Sequence, residues 1–257
     1  MIIAGIDCGA KNTKSVILRD GKIIGKGMTL TGFDQASAVK ESLDAALKDA
    51  GIDAKDVDKI SGTGAGMEEI KDASMKVNEI RAMAKAANYF FPSARTVTDV
   101  GAEMGRAVKI DERGKAIDFA INEKCAAGAG AFIEAMARAI EVELEEMGPM
   151  ALQSDKSIPM NAQCAIFAES EVVGLIHAKT VKEDISKAIH DAMASRIVSM
   201  IRRIGVNEDI VMIGGVALNP GFVGCLKREL GIDRVYIPAD PAFGAAVGAA
   251  VVLKEEA

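Results

Sequence analysis

The sequence predicts an α/β protein built from two similar halves, and three observations carry that prediction. Short apolar runs bounded by turn residues read as strands, and they are interleaved with longer runs whose apolar residues recur at helical spacing. A unit made of a strand, an acidic residue, a glycine turn and a hairpin occurs at the N-terminus and again after residue 92. With 257 residues and 49% apolar content, the chain can bury a substantial core, as one large domain or two small ones.

The first half opens with residues 2–6, an apolar run that reads as a buried strand, ending at Asp7 and followed by CGAKNTK. A carboxylate at a strand end beside a glycine turn suits a metal-bound phosphate, because backbone amides approach closely and the acid orders the waters of Mg²⁺. Residues 15–19 and 22–27 flank Asp20-Gly21, a strong hairpin signal. Residues 34–50 form an amphipathic helix with Ala38, Leu43, Ala46 and Leu47 on one face and Gly51 as its stop. A strand at 57–60 runs into SGTGAG, and residues 68–91 are expected to be mostly helical up to Pro92.

In the second half, residues 96–100 read as a strand carrying Asp99 and Gly101, followed by strands at 106–110 and 115–121 around the turn DERG. Asp7-x-Gly9, Lys14 and Asp20-Gly21-Lys22 are thus paralleled by Asp99-x-Gly101, Arg106 and the turn before Lys115. Two such halves facing each other present two acid-plus-glycine turns to one cleft, a clamp for the phosphates of a nucleotide. The plainer alternative is two ordinary turns in which Asp caps its own backbone.

Farther on come helical patterns at 164–179 and 182–204, then a strand at 209–213 ending in GGVALN. Gly214 and Gly215 after a buried strand, with Asn219-Pro220 opening a helix, make a third place of close backbone approach, suited to the adenosine side of a nucleotide. A short strand is expected at 235–238 and a closely packed helix at 243–253. His177 and His190 fall in helical stretches with no partner at ligand spacing and read as structural; Cys225 reads as core, and Cys8 has no neighbours at metal-binding spacing.

The two remaining cysteines share one arrangement. Cys125 is followed by Ala126, Ala127, Gly128, Ala129 and Gly130 and then by Phe132, Ile133, Met136 and Ile140 at helical spacing; Cys164 precedes Ile166, Phe167, Val172, Val173 and Leu175 in the same way. Both thiols are expected near helix N-termini, where backbone N–H groups favour a thiolate or an anionic cluster. They lie 164 − 125 = 39 residues apart and supply half of a four-thiolate iron–sulfur site, whose other half then comes from a second subunit. The competing reading is two small buried hydrophobes.

Composition narrows the partners. The net charge of −6 and the absence of a basic cluster argue against nucleic acid, as does the lack of Trp. The longest apolar runs, such as AAVGAAVV, are too short to span a bilayer, and no secretion signal precedes the first strand. The expectation is a cytoplasmic protein whose cysteines serve metal or redox roles.

Asp7 to Lys14 with its hairpin, the Asp99-x-Gly101 turn, GGVALN and the C-terminal GAAVGAA together resemble the superfamily of actin, sugar kinases and heat-shock chaperone ATPases. Within it, KCAAGAGAFIE, QCAIFAESEVVGLI and NYFFPSARTVTDVG resemble the BadF/BadG/BcrA/BcrD-type ATPases that activate 2-hydroxyacyl-CoA dehydratases and drive class I benzoyl-CoA reductases. The resemblance covers essentially the whole chain. It implies a two-lobed, duplicated ribonuclease-H-like fold, with residues 1–92 as the first lobe, completed by the C-terminal helix, and residues 93–257 as the second, which carries the cysteines. It further implies a dimer in which Cys125 and Cys164 of each subunit hold one shared [4Fe–4S] cluster, and ATP hydrolysis that drives a low-potential electron to an acyl-CoA-reducing partner. A ferredoxin or flavodoxin is the implied donor.

Two turns depart from the commoner pattern of that family. Where Ser-Thr usually follows the second glycine of the first turn, Ala10 and Lys11 stand here; where Gly-Gly-Gln-Asp is usual, Gly101-Ala102-Glu103-Met104 stands. The latter form resembles the shorter ATPase subunit of benzoyl-CoA reductase, which implies a heterodimer with a longer ATPase subunit. The implied roles are these: Asp7 and Asp99 order Mg²⁺, and Glu103 positions water. Gly9, Lys11, Thr13, Lys14 and Gly101 meet phosphates, and Gly214, Gly215 and Asn219 flank the nucleoside. Gly128 and Gly130 complete the binding set, and Cys125 and Cys164 ligate iron. A homodimeric dehydratase activator, a small-molecule kinase of the same superfamily and a regulatory ATPase with degenerate hydrolysis remain as alternatives.

Overall fold

A computed structural model of the protein describes residues 1–122, 130–160 and 165–257. The opening apolar run becomes the centre of a sheet. Strand β1 (Ile2–Cys8) pairs antiparallel with β2 (Asn12–Arg19), which turns through Asp20 and Gly21, both at positive φ, into β3 (Lys22–Leu30). On its other side β1 pairs parallel with β4 (Lys59–Thr63), and the two-residue β5 (Met75–Lys76) closes the order β3-β2-β1-β4-β5. Val16, Ile17 and Leu18 are buried in succession, as happens when both faces of a strand are covered. Helix α1 (Gln35–Ala50) covers one face, packing Ala46 and Leu47 on Ala4 and Ile17; Asp34 caps it by accepting from Ser37 N, and Gly51 ends it in the left-handed region.

The second half repeats this plan. Strands β6 (Thr96–Val100), β7 (Gly105–Ile110) and β8 (Ala116–Ile121) form the antiparallel part, and β9 (Ile210–Ile213) lies parallel to β6 as β4 does to β1. The strand expected at 235–238 shrinks to one bridge: Tyr236 donates to Ile210 O and accepts from Met212 N. Pro238 has no N–H to offer at the next pairing position, so the ladder stops there.

The helix expected over 68–91 is shorter. Residues Met67–Glu69 form a 3-10 turn, β5 intervenes, and α2 (Glu79–Phe90) starts only at Asn78, whose side chain accepts from Arg81 N. Helix α2 sets Met83, Ala84 and Ala87 against Val97, Val108 and Val211 of the second sheet. The C-terminal helix α8 (Gly244–Glu256) crosses the other way, setting Ala246, Val247 and Ala250 against Ile3, Val16 and Leu18 of the first. The two helices meet where Gly248 leaves no room for a Cβ against the Ala82 backbone. The first sheet is therefore covered in part by α8, from beyond residue 92, and the second in part by α2, from before it.

Among the described residues the second half also carries five helices between its strands and α8: α3 (Gly130–Ala139), α4 (Leu144–Ala151), α5 (Ala165–His177), α6 (Lys182–Arg203) and α7 (Pro220–Leu230). Their shared core is built on Phe132, Met136, Met147, Ile189, Met193 and Phe222. Among the described residues, no helix is long and apolar enough to cross a membrane.

Candidate functional site

The C-terminal ends of β1 and β6 open onto one cavity of about 480 Å³ between the sheets, within the range of small-molecule sites. Directly opposite residues of an antiparallel pair share a face of the sheet. In the first hairpin the residue opposite Asp7 is Lys14, and in the second the residue opposite Asp99 is Arg106. The spacing is the same, 14 − 7 = 7 and 106 − 99 = 7, so the duplication installs one acid–cation pair per half. Lys14 Nζ lies 3.1 Å from Asp7 Oδ2, and Arg106 Nη1 lies 3.3 Å from Asp99 Oδ2. The guanidinium is nearly enclosed and also bonds Glu79 at 2.6 Å, at the first turn of α2.

A glycine backs each carboxylate. Gly64, just after β4, has φ +93°, and a Cβ there would stand 2.5 Å from Asp7 Oδ1; Gly214, just after β9, has φ +88°, and a Cβ there would meet Asp99 Oδ1. Both positions combine a left-handed backbone with a close approach, so only glycine is unstrained at either. The second turn is tight, with Gly101 N donating to Met104 O at 3.0 Å. Its outward carbonyls are taken by α3: Gly130 N donates to Gly101 O at 2.7 Å and Ala131 N to Ala102 O at 2.9 Å.

Burial raises the pKa of Asp99, opposed by Arg106, and burial likewise raises that of Glu79; the neighbouring carboxylates add to both. Among the described residues no three acidic, thiol or imidazole groups are grouped to hold a metal by themselves. A divalent ion would therefore complete its shell with phosphate oxygens and water, as Mg²⁺ does in nucleotide sites. The donor set fits that use: Asp7, Asp99 and Glu79 for the ion's waters, Lys14 and Arg106 for phosphate charge, and glycine turns that expose backbone.

Of the expected residues, Asp7, Gly9, Lys11, Lys14, Asp99, Gly101, Glu103, Gly130, Gly214, Gly215 and Asn219 all line this cavity. Thr13 is not among the lining residues: its side chain is fully buried, with Oγ1 2.9 Å from Thr31 Oγ1 and 3.7 Å from Cys8 Sγ. Its place in β2, opposite Cys8, turns it into the sheet. Gly130 lines the cavity, but its N–H is committed to Gly101 O and is not available to a ligand. Cys125, Cys164 and Gly128 lie outside the described residues.

Asn219 is held from two sides. Its Oδ1 accepts from Phe222 N at 3.0 Å, capping α7, and its Nδ2 donates to Nε2 of buried His190 at 2.9 Å. Nδ1 of His190 lies 2.7 Å from Ser186 O, a carbonyl that only accepts, so the proton sits on Nδ1 and the ring is neutral. Burial lowers the His190 pKa and keeps it so. Cys8 and Cys225 are buried free thiols; burial raises both pKa values, that of Cys225 to about 12 with help from Asp191.

Three ion-paired residues of the site are absent from the sequence-based set: Arg106, Glu79 and Glu134. Arg106 carried a signal, since it occupies the position of Lys14 in the repeat. Glu79 and Glu134 carried none, because helix packing alone brings them to the cavity.

Residues 4–252 match the BadF/BadG/BcrA/BcrD ATPase family. The activator of lactoyl-CoA dehydratase from Anaerotignum propionicum is 35% identical over 257 residues, covering 100% of this chain and 99% of that protein. One of the subunits of the benzoyl-CoA reductase of Thauera aromatica is 30% identical, covering 97% of this chain and 92% of that protein. The solved structure of the activator of 2-hydroxyisocaproyl-CoA dehydratase from Clostridium difficile, with bound ADPNP, superposes with a TM-score of 0.93 at 33% identity, covering 100% of this chain and 95% of that one.

Proposed function

This chain belongs to the BadF/BadG/BcrA/BcrD ATPase family, and from that premise we propose that it hydrolyses ATP in the cleft to drive electrons into a partner that acts on an acyl-CoA. The observation that carries this reading is the pair of acid–cation turns, Asp7 with Lys14 and Asp99 with Arg106, facing one cavity in equivalent register. The bound ADPNP of a relative with this fold supports a nucleotide as the occupant.

In this reading Asp7 and Asp99 order the waters of Mg²⁺ between the halves, and Glu103, exposed on the second turn, positions the attacking water. Gly9, Lys11, Lys14 and Gly101 meet the phosphates. Gly214, Gly215 and Asn219 flank the nucleoside, with His190 holding the Asn219 amide in one orientation. Cys125 and Cys164 would supply two thiolates to a [4Fe–4S] cluster shared with a second subunit, and that group, when bound, supplies the one-electron chemistry. A ferredoxin or flavodoxin is the proposed donor. The acyl-CoA is bound by the partner, so substrate identity resides there.

Identity to two dehydratase activators, at 35% and 33%, exceeds the 30% to the reductase chain, and this favours a homodimeric activator of a 2-hydroxyacyl-CoA dehydratase. One observation favours the alternative, an ATPase subunit of a benzoyl-CoA reductase paired with a second ATPase chain: the Gly101-Ala102-Glu103-Met104 turn, which resembles the shorter reductase ATPase chain.

ATP turnover and nucleotide affinity of Asp7→Asn and Asp99→Asn test the site. Turnover in each should fall by about 10²–10³, the scale of losing a preorganised electrostatic group, with nucleotide binding retained. Unchanged turnover in both would remove the proposed roles.

A further inference from the structure

One ion pair spans the cleft between the first turn and the helix that follows Cys125. Lys11 Nζ lies 2.6 Å from Glu134 Oε2, and both residues line the cavity. Glu134 sits on α3, which starts 130 − 125 = 5 residues after Cys125. The same helix is fastened to the second turn by the Gly130 and Ala131 N–H groups. Helix α3 is thus tied to both acid-plus-glycine turns, to one by backbone and to the other by a single side-chain pair.

The two ties differ in how easily they break. The two backbone bonds fix the start of the helix, where Gly130 is buried, whereas the Lys11 and Glu134 side chains are 43% and 24% exposed, and a solvated ion pair is weak. A lysine ammonium is a mobile point charge on a four-carbon stem. Phosphates entering the cavity bring several negative charges to the turn that carries it, against one on Glu134.

Building on the nucleotide reading above, we propose that Lys11 is exchanged between Glu134 and the phosphates of a bound nucleotide, so that nucleotide binding unfastens the first turn from α3. Lys11 is then a binding residue whose partner reports site occupancy to the helix next to Cys125, and Glu134 is a competitor for it.

The test is titration calorimetry of ADP and ADPNP into the full-length chain and three variants: Glu134→Gln, Lys11→Met and the double variant. Glu134→Gln keeps the length of its side chain, and Lys11→Met removes the charge with the loss of one atom of length. Exchange predicts that Glu134→Gln tightens both nucleotides by roughly two- to fivefold, the scale of a solvated pair. Lys11→Met should weaken them, and Glu134→Gln should add nothing on the Lys11→Met background. If Glu134→Gln leaves affinity unchanged or weaker, the exchange is wrong. If its gain is the same without Lys11, Glu134 acts by simple repulsion and the exchange is again wrong. Failure of the unsubstituted protein to bind either nucleotide would overturn the nucleotide reading itself, and the exchange with it.

Discussion

Gly214 stands against Asp99 with no space between them for a side chain, because a Cβ at this left-handed position would meet the carboxylate oxygen. Gly64 stands in the same relation to Asp7. Gly214→Ala and Gly64→Ala should each cost about 1–3 kcal/mol from backbone strain, more if the carboxylate cannot move aside. Urea denaturation checks this; a loss within experimental error at both positions would mean that the carboxylates are not confined.

Arg106 is the cation between two carboxylates whose pKa values burial already raises. Arg106→Met should destabilise by about 3 kcal/mol near neutral pH, since it leaves buried acids without their partner. The pH dependence has a definite sign. Raised carboxylates bind protons more readily folded than unfolded, so their contribution is greatest at low pH and is lost as pH rises through the folded pKa. Removing the guanidinium raises them further. The deficit of the variant should therefore shrink in thermal melts as pH falls from neutral toward the ordinary carboxylate range of about 4. A deficit that grows on acidification would contradict the assignment.

His190 titrates in the opposite sense. Its folded pKa is depressed by burial, so its contribution to stability is complete above the unfolded value of about 6.5 and is lost as pH falls below it. His190→Gln should flatten the fall in stability below about pH 6.5 while costing about 1–2 kcal/mol above it. An unchanged acid slope would show that the ring is not held neutral.

Thiol reactivity separates the four cysteines. Burial raises the pKa of both Cys8 and Cys225, so neither offers appreciable thiolate at neutral pH. The Cys125→Ala/Cys164→Ala double variant should therefore show no fast reaction with a disulfide reagent until it is denatured, when both remaining thiols react. A fast native thiol would place reactivity outside the two proposed ligands.

Much of this site was legible because it is written twice. The hydrophobic runs, the Asp-x-Gly turns and the seven-residue step to a cation identify both sheets and both acid-plus-glycine turns without any structure. What was not legible is what packing decides. Thr13 reads as a turn residue, yet its register opposite Cys8 turns it inward. The strand at 235–238 reads as regular but fails at Pro238, and the long helix to Pro92 is cut short by the Asn78 cap. Glu79 and Glu134 reach the cavity only because α2 and α3 pack beside it, and no local pattern marks them.

The proposed ligation of an iron–sulfur cluster by Cys125 and Cys164 is tested most directly by iron and acid-labile sulfide per protomer, with native mass. The measurement is made on protein prepared without oxygen, for the unsubstituted chain and for Cys125→Ala and Cys164→Ala. The expected result is about four irons and four sulfides per dimer, lost in both variants while nucleotide binding persists. Iron that stays bound in both variants, or that is absent from the unsubstituted protein in every preparation, alone or with its partner chains, would contradict it.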